Sequence, residues 1–116
     1  MRGGDKMTDN DKVPELSNGE FNEFVKEGLV LVDFFAEWCM PCLMMAPVVD
    51  ELSEKFKGKI KFGKVNIDDN RDLAQKFNVS SIPNFVLFRD GKPVEQFVGG
   101  IAEEEFEEKL KGFTNK

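Results

Sequence analysis

The sequence predicts an α/β fold, in which a mixed central sheet of four to five strands is flanked by four helices. Residues 29–35 are apolar except for Asp33 and do not alternate with polar residues, which is typical of a strand covered on both faces. Helical patterns separate the early strands, so these strands need crossover connections. Asp90-Gly91 then joins two apolar stretches as a hairpin turn, which makes the last two strands antiparallel.

The first elements lie on either side of a capping motif. Residues 13–16 form a short edge strand, where Pro14 is tolerated because an edge strand can leave one N–H unpaired. Ser17 and Glu20 form a capping box, and the helix that follows ends at Gly28. The sequence thus predicts one surface helix before the central strand 29–35.

The longest predicted helix covers residues 39–56. Pro41 fits its first turn, where a missing N–H costs nothing, whereas Pro47 removes an internal hydrogen bond and predicts a kink. Two separate helices are the alternative. Met44 and Met45 are interpreted as core residues, with adaptable apolar contacts to other molecules as the alternative, and Met40 is interpreted as an exposed residue.

The remaining elements complete the sheet and its cover. A strand at residues 60–67 changes its apolar phase at Gly63, which indicates a bulge or an irregular neighbour. The other predicted elements are a helix at 71–77, strands at 84–89 and 93–98, and a closing helix at 103–113.

Size and charge limit the possible functions. The chain of 116 residues fits one domain, assigned to residues 13–116, with residues 1–12 as a flexible polar tail. A net charge of -6 argues against nucleic-acid or anionic-membrane binding, which require clustered Lys and Arg. We find no apolar segment typical of a signal peptide or a membrane span, and expect a cytoplasmic protein.

The two cysteines, Cys39 and Cys42, are placed for redox chemistry. A disulfide across so short a loop adds little stability, and a strand-to-helix junction puts Cys39 where free N–H groups and the helix dipole favour a thiolate. Cys39 is therefore the candidate nucleophile, and Cys42, one turn later, the candidate resolving thiol. The alternatives are half of a zinc site, which would need a second chain because the sequence has no histidine, and an inert buried pair.

Asp33 and Lys64 are the candidate supporting charges. Burying a carboxylate inside the apolar strand raises its pKa, so Asp33 is a candidate for taking the proton from Cys42 and returning it. Lys64 lies in an apolar phase of the neighbouring strand and is a candidate charge partner. The alternatives place Asp33 at a strand end on the surface and Lys64 on an ordinary solvated face.

Residues 32–42, with the Trp38-Cys39-Met40-Pro41-Cys42 motif, resemble the active-site segment of the thioredoxin family. The similarity extends over residues 13–113. It includes Pro47, the strand motif at 64–68, Ser81-Ile82-Pro83 where the family has a cis-proline loop, and Gly99 where it has a glycine beside the substrate groove.

The resemblance implies the thioredoxin fold and a monomeric protein-disulfide reductase, which needs no cofactor or metal of its own and is recharged by thioredoxin reductase. Its substrates would be proteins with disulfide bonds. On the family pattern Pro83 is cis, although most X-Pro bonds are trans. The residues implied to contact substrate are Trp38, Met40, Pro41, Ile82, Pro83 and Gly99.

Three residues depart from the family pattern. Met40 replaces a glycine, Phe35 a tryptophan and Leu43 a basic residue, so the surroundings of the site are more apolar and less positive. Because strongly oxidising relatives commonly have a histidine between the cysteines, its absence favours a reductant. The alternatives are a disulfide oxidase or isomerase, and a thioredoxin-like binding module without turnover.

Overall fold

The computed structural model describes residues 13–115, and here helices and strands alternate up to a final hairpin and helix. The elements are α1 (Asn18–Val25), β1 (Leu29–Phe35), α2 (Met40–Lys55), β2 (Ile60–Asn66), α3 (Arg71–Lys76), β3 (Asn84–Arg89), β4 (Lys92–Val98) and α4 (Glu103–Thr114). The sheet order is β2-β1-β3-β4, with β1 and β2 parallel and the other neighbours antiparallel. The predicted thioredoxin fold is confirmed. The tail predicted for residues 1–12 lies outside the described residues.

Strand β1 is the centre of the molecule. Its apolar residues are buried on both faces of the sheet, as the unbroken run of apolar residues predicted. On one face Leu31 packs in a cluster with residues of α2 and α4. On the other face Val32 packs in a cluster with residues of α1 and α3. Helices therefore cover both faces, and α2 lies on the face to which Leu31 and Asp33 point.

Helix α2 is continuous through Pro47, so the alternative of two separate helices is wrong. Met45 is buried, as predicted, but the core assignment of Met44 is wrong because its side chain is 73% exposed. Successive residues are turned by about 100° around a helix, so Met44 and Met45 cannot both face the sheet. Met45 takes the inward position, and Met44 points to solvent.

The phase change in β2 does not come from a bulge in its pairing with β1, which runs in regular register through Gly63. Gly63 is buried under the side chains of Phe24 and Leu16, and a Cβ there would lie 2.8 Å from Phe24 Cε2. The irregular neighbour is the segment before α1, which meets β2 in a single bridge between Glu15 and Lys64. The possible fifth strand is thus reduced to this bridge, and within residues 13–115 the sheet has four strands.

The hairpin between β3 and β4 turns at Asp90 and Gly91, as predicted. Both have positive φ, 52° and 87°, which suits a two-residue turn. The Asp90 carboxylate accepts a hydrogen bond of 2.8 Å from the N–H of Gly28, so the turn is attached to the start of β1. A register shift between Leu87 and Phe88 makes the hairpin irregular, which no residue pattern indicated.

None of the helices in residues 13–115 has the length and apolar character needed to cross a bilayer.

We predict that Gly63→Ala lowers the free energy of unfolding by about 1–3 kcal/mol, because the added methyl group requires Phe24 and Leu16 to move. The measurement is urea unfolding followed by circular dichroism. The matched control is Gly112→Ala, which meets no atom within 4 Å and improves helix propensity inside α4. Equal stability of the two variants would contradict this account of Gly63.

Candidate active site

The two cysteines lie where β1 ends and α2 begins. Cys39 is the N-cap of α2 and forms a disulfide with Cys42, with 5.3 Å between their Cα atoms. The N–H of Cys42 donates a hydrogen bond of 3.2 Å to Cys39 Sγ. Pro41 occupies the first turn, where its missing N–H leaves no gap in the helical bonding. The arrangement places Cys39 Sγ at the positive end of the helix dipole.

The disulfide is mostly covered, since Cys39 and Cys42 are only 4% and 5% exposed. Both cysteines pack with Ala36, and Ile82 lies against them. The Ile82–Pro83 peptide bond is cis, which confirms the expectation from the family resemblance. The Pro83 carbonyl accepts a hydrogen bond of 2.8 Å from Gly99 N–H, so Gly99 is held beside the proline loop. The structure thus brings Gly99 to the proline loop, and Ile82 of that loop packs against the cysteines.

Trp38 is 70% exposed, and its ring is fixed by one hydrogen bond. Its indole Nε1–H donates to Asp68 Oδ2 at 2.9 Å. Asp68 is in turn anchored, because its own N–H donates to Asn66 Oδ1 at 2.9 Å. No residue pattern in the sequence assigned this role to Asp68. The contact could have been inferred from the topology. The carboxyl ends of the parallel strands β1 and β2 lie at the same edge of the sheet, so the loops that carry Trp38 and Asp68 meet there.

Asp33 is buried on the face of β1 that α2 covers, so the alternative of a surface strand end is wrong. Among the described residues, its Oδ1 atom has no hydrogen-bond partner. Loss of hydration raises the pKa of this carboxyl from its ordinary 3.8 to about 7. The charge of Lys64 opposes that rise, and the charge of Asp50 on α2 adds to it.

Lys64 is half-buried and directly opposite Asp33 in the parallel register of β1 and β2. Its Nζ atom lies 5.5 Å from the centre of the Phe35 ring. This position agrees with the predicted charge partner and differs from an ordinary solvated surface lysine. Asp50 is a second charge near Asp33 that the sequence analysis missed, because nothing in the helical pattern marks it as facing the sheet.

The remaining predicted site residues lie at the rim. Met40 is exposed in the first turn of α2, as predicted, and Pro41 beside it is exposed as well. In the part of the chain that the structure describes, no three side chains of His, Cys, Asp or Glu come together as a metal site would require.

Comparison with known proteins places the chain in a family. The sequence model of the thioredoxin family matches residues 12–112. A thioredoxin of Chlamydia caviae is 49% identical over 87 residues, which are 75% of this chain and 84% of the relative. A thioredoxin of Staphylococcus haemolyticus is 41% identical over 98 residues, 84% of this chain and 94% of the relative. A thioredoxin of Synechocystis is 44% identical over 90 residues, 76% of this chain and 84% of the relative. The chain therefore belongs to the thioredoxin family of protein-disulfide reductases, and its Cys39–Cys42 pair makes it a thiol–disulfide oxidoreductase.

Proposed function

We propose that this protein reduces disulfide bonds of other proteins, with Cys39 as the attacking thiolate and Cys42 as the resolving thiol. The hydrogen bond from Cys42 N–H to Cys39 Sγ carries the proposal. An N–H group at a helix N-terminus stabilises a negatively charged sulfur more than a neutral one. Cys39, as the N-cap, receives this stabilisation, whereas Cys42 lies inside the first turn.

The reaction starts from the reduced dithiol. Cys39 thiolate attacks one sulfur of the substrate disulfide, a mixed disulfide forms, and the other substrate sulfur leaves as a thiolate. Cys42 then loses its proton and attacks Cys39 Sγ, which forms the Cys39–Cys42 disulfide and releases the second substrate thiolate. Two electrons have passed to the substrate, and its two thiolates take up two protons.

Asp33 accepts the proton of Cys42 in the second step. Its carboxyl lies on the sheet face that α2 covers, and the first turn of that helix carries Cys42. With a pKa of about 7, Asp33 is divided between both protonation states near neutral pH and can take a proton or return one. Lys64 keeps the charged form accessible, because its positive charge lowers the cost of the buried carboxylate.

The substrate contacts the rim of the site. Trp38 and Met40 offer exposed apolar surface, and Ile82 packs against the cysteines from the opposite loop. An extended substrate segment beside Cys39 would use backbone hydrogen bonds to this loop, as in strand addition. The proposed contact residues are Trp38, Met40, Pro41, Ile82, Pro83 and Gly99.

The oxidised protein must be reduced again before the next cycle. Family membership supports thioredoxin reductase as the donor, and the chain itself needs no cofactor for the exchange. We further propose that the protein works as a monomer in the cytoplasm, where thiols are kept reduced.

The preferred direction is reduction. No histidine is available to stabilise a Cys39 thiolate in the way that oxidising relatives do, and Leu43 supplies no positive charge. A less stabilised thiolate makes the dithiol form less stable and the couple more reducing. A disulfide oxidase or isomerase would need a more stable Cys39 thiolate and therefore a more stable dithiol form.

Because the two cysteines have different roles, we expect their serine variants to behave differently. Cys42→Ser keeps the attacking thiol and should accumulate mixed disulfides with substrate proteins, whereas Cys39→Ser should form none. Both should lose catalytic insulin reduction with dithiothreitol as the electron donor. Non-reducing electrophoresis and mass spectrometry measure the adducts. If Cys42→Ser reduced insulin as fast as the wild type, the cysteine pair would have no part in turnover, and the alternative of a binding module would be favoured.

Asp33→Asn tests the buried carboxyl through stability. Between about pH 4 and pH 7 folded Asp33 holds a proton that the unfolded chain has released, so wild-type stability falls as the pH rises through this window. Asparagine stays neutral, and the variant should exceed the wild type by up to about 4 kcal/mol at pH 8 and by little at pH 4. Urea unfolding of the oxidised proteins at both pH values measures this difference.

The proton transfer itself is tested in the same variant. Resolution of the mixed disulfide by Cys42 should be about 100-fold slower in Asp33→Asn, measured by rapid mixing with a disulfide substrate. Glu108→Gln, which removes an exposed carboxyl on α4, is the control for both measurements. An unchanged pH dependence of stability or an unchanged resolving rate would contradict the role of Asp33.

The direction of the reaction is tested by the midpoint potential. We expect a potential more negative than that of the glutathione couple, measured by redox titration of Trp38 fluorescence, because Trp38 is the only tryptophan and adjoins Cys39. Met40→Gly restores the residue usual in the family and measures the effect of Met40 on the potential. A value close to that of strongly oxidising relatives would contradict the reductase assignment.

A further inference from the structure

Helix α2 has a second apolar face, which points to solvent. Its inner face carries Met45, Val49 and Leu52, which are buried against the sheet. Met40, Leu43, Met44 and Pro47 follow one another at the i, i+3, i+4 and i+7 spacing of a single helix face. We call these four residues the outer stripe of α2.

The outer stripe is well exposed. Met40 is 65% exposed and Leu43 53%, Met44 lies beside them and is still more open, and Pro47 is also exposed. Single exposed apolar residues are ordinary on protein surfaces, but a contiguous stripe marks an interaction surface. The fold does not need this face, because α2 is already held by its inner residues.

The stripe is continuous with the redox site. Met40 separates Cys39 from Pro41, and Trp38 lies at the same end with its ring fixed by Asp68. A segment that lies along the stripe therefore has one end at the disulfide. From Met40 to Pro47 the helix rises about 10 Å, the length of about three residues of extended chain.

The charged residues in the segment of the chain that carries the stripe have one sign. Between Phe35 and Lys55 the chain has neither Lys nor Arg, and its charged residues there are Glu37, Asp50, Glu51 and Glu54. Glu37 precedes the site, and Glu51 is exposed one turn beyond Pro47 on the same side of the helix. An apolar surface with acidic ends complements an apolar segment that carries Lys or Arg.

We propose that the outer stripe of α2 is a docking surface that selects protein substrates in which the disulfide adjoins an apolar segment followed by basic residues. This inference rests on the proposed reductase function and adds a substrate class to it. The unbranched, polarisable methionines suit apolar segments of different shapes, and the acidic ends favour the basic residues.

The experiment compares synthetic peptides that share one intramolecular disulfide and differ in the residues after it: Leu followed by Lys, Leu followed by Glu, or Ser followed by Glu. The wild type should reduce the Leu-Lys peptide with a kcat/KM about tenfold above that for the Ser-Glu peptide, mainly through KM. The ratio between peptides cancels any change in the thiol chemistry itself. Higher salt should reduce the advantage of Lys over Glu.

The variants locate the effect. Leu43→Gln combined with Met44→Gln should remove the preference for Leu, so that the Leu-Glu and Ser-Glu peptides have about equal kcat/KM, while Glu51→Gln should remove only the preference for Lys and its salt dependence. Glutamine is a good helix former, and circular dichroism checks that the fold is kept. Val94→Gln changes an exposed apolar residue on β4, away from α2, and should keep the ratio of about ten.

Three outcomes would overturn the docking surface. The first is equal kcat/KM of the wild type for all peptides, and the second is an unchanged ratio in the double variant. The third is that the wild type sediments as a dimer and the double variant as a monomer, because the outer stripe would then bind a second copy of the chain. If the wild type reduced no peptide at all, the reductase function would fail and the docking surface with it.

Discussion

The burial of β1 on both faces is the constraint on which the rest of the structure depends. The strand is flanked by a parallel neighbour, β2, and an antiparallel one, β3, so its register is set from both sides. Its carboxyl end delivers the chain to Cys39 at the start of α2, and the packing of α2 on the same sheet holds the pair of cysteines in place. The position of the sulfurs therefore follows from the core rather than from the active-site loop.

Because β1 is buried on both faces, the charged form of Asp33 destabilises the fold. Within the described part of the chain no group hydrogen-bonds to Asp33 Oδ1, so the buried carboxylate loses several kcal/mol of hydration. The charge of Lys64 recovers only part of this loss, because the pKa of Asp33 stays raised. A valine at this position would fit the strand pattern and stabilise the fold. The carboxyl is useful because the same desolvation brings its pKa into the range where it can exchange protons with a thiol near neutral pH.

Most elements of the fold could be predicted, because β1, α2 and the Asp90-Gly91 turn have local patterns that tertiary contacts reinforce. The failures are of two kinds. Met44 and Met45 are chemically alike, so only the rotation of α2 against the sheet decides which one is buried. The contact of Trp38 with Asp68 joins residues thirty positions apart, and it depends on two loops meeting at one edge of the sheet. Cys39 and Cys42 could be found from their spacing at a strand-to-helix junction, and Asp33 because it interrupts an apolar strand, whereas Asp50 breaks no pattern.

The two faces of α2 have different roles. The inner face needs Met45, Val49 and Leu52 for packing, and any change there is transmitted to the cysteines through the position of the helix. The outer face is free of that demand, so its residues can differ between family members without disturbing the disulfide. Leu43 lies where the family usually has a basic residue, and together with Met44 it makes an apolar surface beside the sulfurs. Since an exposed apolar stripe lowers solubility and adds nothing to folding, its presence next to the reactive bond is best explained by contact with the protein whose disulfide is being reduced.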